Sequence, residues 1–161
     1  MLFSTKAEYG VRLMVELGRR AGDGDAAQAP PVALSAVAEA EMLPLAYLEH
    51  LVAKLREAGL VASVRGAHGG YRLARTADEI EMLEVVEALE GPIAPMECFH
   101  TEREGRVLCS HESDEHSCST KLLWMRVQSG VTGALAGTSL AELVAFSDGQ
   151  NTSKPLAVST A

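Results

Sequence analysis

Three cysteines in 161 residues are too few, and odd in number, for a disulfide framework within one chain. No apolar run reaches 18 residues, which excludes a membrane-spanning helix by sequence, and the opening Met-Leu-Phe-Ser-Thr-Lys-Ala-Glu lacks the continuous apolar stretch of a secretory signal. The expectation is a cytoplasmic chain with no membrane partner, a setting where disulfides are rare. No internal repeat is visible, and six prolines and 14 glycines do not mark disorder. The chain also has no Ser-His-Asp arrangement, no phosphate-cradling glycine loop and no paired carboxylates that would define a cleft. Enzymatic chemistry is therefore not expected.

Positive charge is scarce too, and unevenly so. The formal net charge is −8, which argues against a polyanionic partner until the chain is divided. Residues 1–75 hold nine Lys/Arg against eight Asp/Glu, whereas residues 76–161 hold five against 14. Within 54–75, Lys54, Arg56, Arg65, Arg72 and Arg75 face a single acid, Glu57. Screening limits the reach of the distant acids to about 10 Å at 0.1 M salt, so this local excess decides whether phosphates are attracted.

The stretch from Leu43 to Arg75 carries the organisation. Pro44 suits a first helical position, and Leu45, Leu48, Val52 and Leu55 form an apolar stripe with Tyr47, Glu49, Lys54 and Arg56 largely off it. Gly59 closes this helix. The period then shortens: residues 60–64 and 71–73 read as strands joined by a turn containing Gly66, Gly69 and Gly70, with Arg65 and His68 at its tip. Residues 34–40 form a short helix, capped by Ser35, and 41–43 the turn between the two helices. That order is a helix-turn-helix followed by a wing, whose second helix enters the major groove. Leu45, Ala46, Tyr47, Glu49 and His50 fall where base edges are met, Glu49 being able to accept from cytosine N4. Arg65 and His68 can reach phosphates or a minor groove, with Lys54 and Arg72 nearby and Arg12 and Arg75 as weaker candidates. The alternative is a surface hairpin on a small helical domain, with Glu49 a solvated carboxylate and Tyr47 a ring at the core's edge.

Around this unit, residues 4–20 read as a helix capped by Ser4 or Thr5, with Glu8 completing a box from Thr5 and Tyr9, Leu13 and Leu17 inward. Residues 21–33 are a loop, Val32 and Ala33 forming a short strand beside the wing. Residues 76–90 read as one helix ended by Gly91-Pro92, residues 119–136 as a longer helix with Trp124 packed on a large neighbour, and Ser139 with Glu142 as the capping box of a last one. The fold class is mainly α with a small β wing. The division is a winged helix-turn-helix domain over 1–92, a binding loop over 93–118, a dimerisation helix and terminal helix over 119–146, and a flexible tail over 147–161.

The loop holds all three cysteines and no hydrophobic periodicity. Cys98, Cys109 and Cys118 are spaced more loosely than structural zinc knuckles, but they sit in polar surroundings that inert buried thiols avoid. A metal would hold so long a loop in place. Zinc bound by three thiolates with His100, His111 or His116 and an iron–sulfur cluster are equally allowed by donor chemistry.

The opening Ser-Thr-Lys-Ala-Glu-Tyr-Gly-Val-Arg, the segment Tyr47-Leu48-Glu49, the run Leu55 to Val61, the wing Val64-Arg65-Gly66-Ala67-His68-Gly69-Gly70-Tyr71-Arg72-Leu73 and Cys118-Ser-Thr-Lys-Leu-Leu-Trp124 resemble the IscR/NsrR family of iron–sulfur-dependent transcriptional regulators. The resemblance covers about residues 1–146. It implies a homodimeric regulator, a repressor by preference, on a palindromic duplex operator, with the helix after Cys118 as the dimer seam. It places Glu49 at a base-discriminating glutamate, Arg65 at a wing arginine, and Cys98, Cys109 and Cys118 at three cluster cysteines. Lys121 stands where the cluster-biogenesis regulators have a histidine ligand. Nitric-oxide-sensing members instead have an acidic residue at the place of Glu8, reaching the cluster of the other subunit. Another branch adds a histidine where this chain has Arg12, which cannot donate to iron. The implied set is Cys98, Cys109, Cys118 and Glu8 from the partner chain on a four-iron four-sulfur cluster, a two-iron two-sulfur cluster with one of the histidines being the alternative. The signal is then nitric oxide, redox state or iron–sulfur status. The rivals are a zinc-stapled DNA-binding regulator and a cysteine-based redox or metal-handling enzyme that binds no DNA.

Overall fold

The computed structural model describes residues 3–22, 28–95 and 118–149. Helix α1 (Thr5–Ala21) is followed by α2 (Leu34–Glu41), α3 (Leu45–Glu57), strands β1 (Val61–Val64) and β2 (Gly70–Leu73), a 3-10 turn at Ala77–Glu79, α4 (Met82–Glu90), α5 (Lys121–Ala136) and α6 (Leu140–Ser147). This is a mainly helical winged helix-turn-helix with one long additional helix.

Helix α1 is the axle. Leu13, Met14 and Leu17 are buried and Tyr9, Val11 and Val15 lie against the same core, so the helix is covered by α2, α3, β2, α4 and α6. Two glycines permit the close approach: a Cβ on Gly10 would collide with Leu89 of α4, and one on Gly18 would lie 2.8 Å from Val144 Cγ2 of α6. Ser4 caps the helix, its Oγ accepting from Lys6 N at 3.1 Å, in place of the expected box from Thr5. Ser4 also donates through N and Oγ to Glu90, which ties the start of α1 to the end of α4.

Helices α2 and α3 form the helix-turn-helix. No side chain caps α2, whose N-cap is Ala33 and not Ser35. Pro44 stands at the N-cap of α3, one residue earlier than expected. The buried stripe of α3 is Leu48, Leu51, Val52 and Leu55. Leu45 departs from the sequence expectation: it is 40% exposed, whereas Leu48 in the same turn is fully buried.

The wing pairs antiparallel with Val61 opposite Leu73 and Val64 opposite Gly70. Val61 and Leu73 anchor its base in the core. On the far edge of β2, Val32 and Tyr71 exchange two backbone bonds of 2.8 Å, as anticipated for the segment before α2. A Cβ on Gly70 would strike the Val32 carbonyl, so glycine is required where this third segment crosses.

The expected helix over 76–90 is broken at Ile80. Thr76 with Glu79 and Glu81 with Glu84 each form a capping box, and two N-terminal signals five residues apart start two helical segments, not one. After the restart Met82, Val85, Val86 and Leu89 face inward, and Ile80 at the break is buried as well. Helix α5 then runs 16 residues with none buried, Trp124 being half-buried. Helix α6 returns to the body under the Ser139–Glu142 box, where Met82 N donates to Thr138 O and Leu140 N to Ile80 O.

Candidate nucleic-acid interface and cysteine site

The surface beside the reading helix is built from α3 and the wing. Glu49 and His50 are exposed on α3, and Tyr47 is half-buried. The Tyr47 ring meets Tyr9 of α1 edge-on, with centroids 5.7 Å apart and planes at 87°, a preferred aromatic geometry that sets the angle between the two helices. With Thr5, Pro44, Ala46 and His50 these rings line an open groove of about 630 Å³. The Arg12 guanidinium donates to Glu41 Oε2 at 2.8 Å and to Glu41 O at 2.6 Å, so α1 also grips the end of α2 where the turn begins.

The hairpin tip, residues 65–69, is closed by Gly69 N donating to Gly66 O at 3.0 Å. Arg65 and His68 are exposed there, with no ion-pair partner among the described residues. Not every cation of this half is so placed. Lys54 Nζ donates to Leu89 O at 3.1 Å, closing the end of α4, and Arg75 forms a two-pronged pair with Glu84, both bonds at 3.0 Å. Arg72 lies opposite Ala62 in the wing, half-buried. Sequence spacing could not show these attachments, since Glu41, Glu84 and the Leu89 carbonyl come from other elements.

Of the residues proposed from the sequence to hold a metal, Cys118 and Glu8 are described. Cys118 stands just before α5, half-buried, its Sγ 3.4 Å from Thr120 Oγ1. Glu8 is exposed on α1, and its carboxylate has no ion-pair partner among the described residues. Cys98, Cys109, His100, His111 and His116 lie outside the described residues. Among the described residues no three metal-donor side chains converge. In donor chemistry, soft thiolates with one carboxylate oxygen suit iron.

Elsewhere, Glu16 is buried on α1 between Arg19 and Arg20, at 3.2 and 2.6 Å, and Arg19 reaches Asp148 beyond α6 at 2.8 Å. The hydrogen bond and charge of Asp148, with Glu16 behind, raise the Arg19 pKa. Sequence reading missed this network, for which the local signals were the spacings of Glu16 from Arg19 and from Arg20.

A helix-turn-helix with a two-stranded wing, followed by a long helix whose Leu122, Leu123 and Met125 are exposed among the described residues, is the architecture of a DNA-binding transcriptional regulator that acts as a homodimer. More narrowly, the chain belongs to the Rrf2 family, whose model, described as iron-dependent transcriptional regulator, matches residues 3–146. It is 36% identical over 150 residues to the transcriptional regulator CymR of Bacillus subtilis, covering 93% of this chain and 94% of that protein. It is 35% identical over 153 residues to IscR of Aliivibrio salmonicida, with 95% and 83% covered. Among solved structures, CymR, the global cysteine regulator of B. subtilis, superimposes with a TM-score of 0.70 at 34% identity, covering 91% of this chain and 98% of that one. T. potens IscR does so with 0.69 at 32%, covering 96% and 93%.

Proposed function

We propose that this chain is a homodimeric repressor whose hold on a palindromic operator is set by an iron–sulfur cluster. Each protomer would read one half-site with Tyr47, Glu49 and His50 of α3 and steady it with Arg65, His68 and Arg72 of the wing, Lys54 lying at the margin. Cys98, Cys109 and Cys118 would hold the cluster, with Glu8 of the other protomer as an oxygen ligand and His100, His111 or His116 as the alternative. The group itself would supply a centre that reacts with nitric oxide, oxygen or a change of redox state. A four-iron form suits one protein ligand per iron, and a two-iron form is the alternative.

The observation that carries this reading is where Glu8 sits. It shares one turn of α1 with Tyr9, which packs on the reading helix, and with Arg12, which holds the end of α2. Release of the cluster from Glu8 would thereby be felt at both ends of the helix-turn-helix turn, and only such a differential contact can shift a DNA-binding equilibrium. Lys121 at the start of α5 leaves the carboxylate as this chain's replacement for a histidine ligand.

The test is anaerobic purification with iron and acid-labile sulfide counts, followed by titration with nitric oxide and with oxygen while operator binding is followed. Loss of DNA affinity in step with visible absorbance, and a changed rate of cluster loss in Glu8→Ala, support the account. A colourless, zinc-containing protein that binds its operator normally would replace the sensor with a structural staple. A second reading follows from the likeness to CymR, the global cysteine regulator: a chain that answers to cysteine supply, whose operator affinity would change on adding cysteine and not on loss of iron.

A further inference from the structure

The first turn of the reading helix presents an apolar edge that the fold does not use. Met42, at the end of α2, is 88% exposed and adopts φ 53°, ψ 45°. Among the described residues it is the only one other than glycine with positive φ. Two costs meet at this position, since a left-handed backbone disfavours a side chain and an exposed thioether gains nothing from burial. Glycine or asparagine would end α2 with less strain. Strain held at an exposed residue points to use by something outside the chain.

Its neighbours continue the pattern. Leu43 turns into the core, but Pro44, Leu45 and Ala46 are exposed, Leu45 to 40%. From Met42 to Ala46 no side chain carries a strong hydrogen-bond donor or acceptor. The first outward polar groups are Tyr47, Glu49 and His50. A helix start of this kind cannot read the donor and acceptor pattern of a base pair. The major groove offers one apolar edge, the 5-methyl group of thymine.

We propose that Met42 and Leu45 read thymine by contact with its methyl group, Met42 using the flexibility of its thioether side chain to fit the groove. The proposal rests on α3 being the DNA-reading helix. It also places the thymine beside the base pair met by Glu49, so that each half-site couples a methyl contact to a cytosine amino contact.

The experiment uses the full-length dimer and a duplex recovered by it from a random pool. Each thymine of the site is replaced in turn by deoxyuridine, which removes the methyl group alone. Losing one buried methyl weakens binding about fourfold, and losing it in both half-sites about 15-fold. In Met42→Gly, a change that suits the backbone and should leave the melting temperature equal or higher, most of the preference for thymine over deoxyuridine should be lost, Leu45 retaining the remainder. Leu45→Ala should lose part of the discrimination. Equal affinity of the wild type for both duplexes at every position would overturn the proposal, as would discrimination left intact in both variants. If the dimer retains no duplex at all, the DNA-reading role of α3 fails, and the methyl contact with it.

Discussion

Helices α1 and α5 are nearly the same length, 17 and 16 residues, and differ in how far the protomer covers them. Seven residues of α1 are buried, including both glycines that admit its neighbours. None of α5 is, although Leu122, Leu123 and Met125 are 60, 56 and 50% exposed. Similar apolar content thus serves two ends. Helix α1 has spent its surface within the protomer, whereas α5 holds the contact area of the second copy, an apolar stripe that water would otherwise cover.

The contrast is open to direct attack, and the largest effect is expected in the core. Leu13→Ala should cost about 2–5 kcal/mol of unfolding free energy in urea, the range for a fully buried leucine. The paired change Leu122→Glu with Leu123→Glu should leave the helical circular dichroism intact and halve the mass seen by sedimentation, with DNA binding weakened at least as far. A dimer that survives this change would remove α5 as the seam.

Next come two glycine substitutions of opposite sign. Gly10→Ala forces Leu89 to move in a packed site and should destabilise by about 1–3 kcal/mol. Gly133→Ala meets nothing within 4 Å in the protomer and should stabilise α5 by about 0.5–1 kcal/mol. A loss at Gly133 would mean that the partner helix passes against it. The Arg12–Glu41 pair, partly exposed on both sides, should contribute about 0.5–1 kcal/mol. Arg12→Ala should therefore lower the denaturation midpoint slightly while weakening DNA binding more, because it frees the end of α2.

The smallest effect concerns pH. The hydrogen bonds from Ser4 hold the Glu90 carboxyl below the ordinary glutamate value, against a smaller opposing effect of burial. A depressed carboxyl pKa stabilises the fold above the unfolded value, about 4.3, and this contribution disappears as pH falls through the folded value. Wild type should exceed Glu90→Gln at pH 7 by no more than about 1 kcal/mol, since the site is largely solvated, and the two should converge in acid.

Much of the fold was legible because its signals are local. Glycines at 66, 69 and 70 between two short apolar runs set the wing, Ser139 with Glu142 set the start of α6, and Val32 found its place beside β2. Where two local signals compete, reading by periodicity alone fails, as at Ile80 between two capping boxes. Leu45 shows the complementary limit: its spacing fits the core stripe, but the placement of the neighbouring elements determines which side chains of α3 are covered, Leu48 being buried and Leu45 not. At the candidate interface the residue types pointed to a basic hairpin. What could not be read was which cations are already engaged, since Arg12, Lys54 and Arg75 find their partners across the fold. The metal question turns on Cys98 and Cys109, outside the described residues, so there the donor types and the family carry the proposal.

The central claim is that occupancy of the cysteine site is felt by the reading helix. It is tested most directly by measuring operator affinity of one anaerobic preparation before and after removal of its iron, alongside Cys118→Ser. The account predicts iron and sulfide in the wild type, an affinity that changes when they are removed, and a variant fixed in the iron-free state. Equal affinities for all three samples, with no iron bound in any, would contradict it.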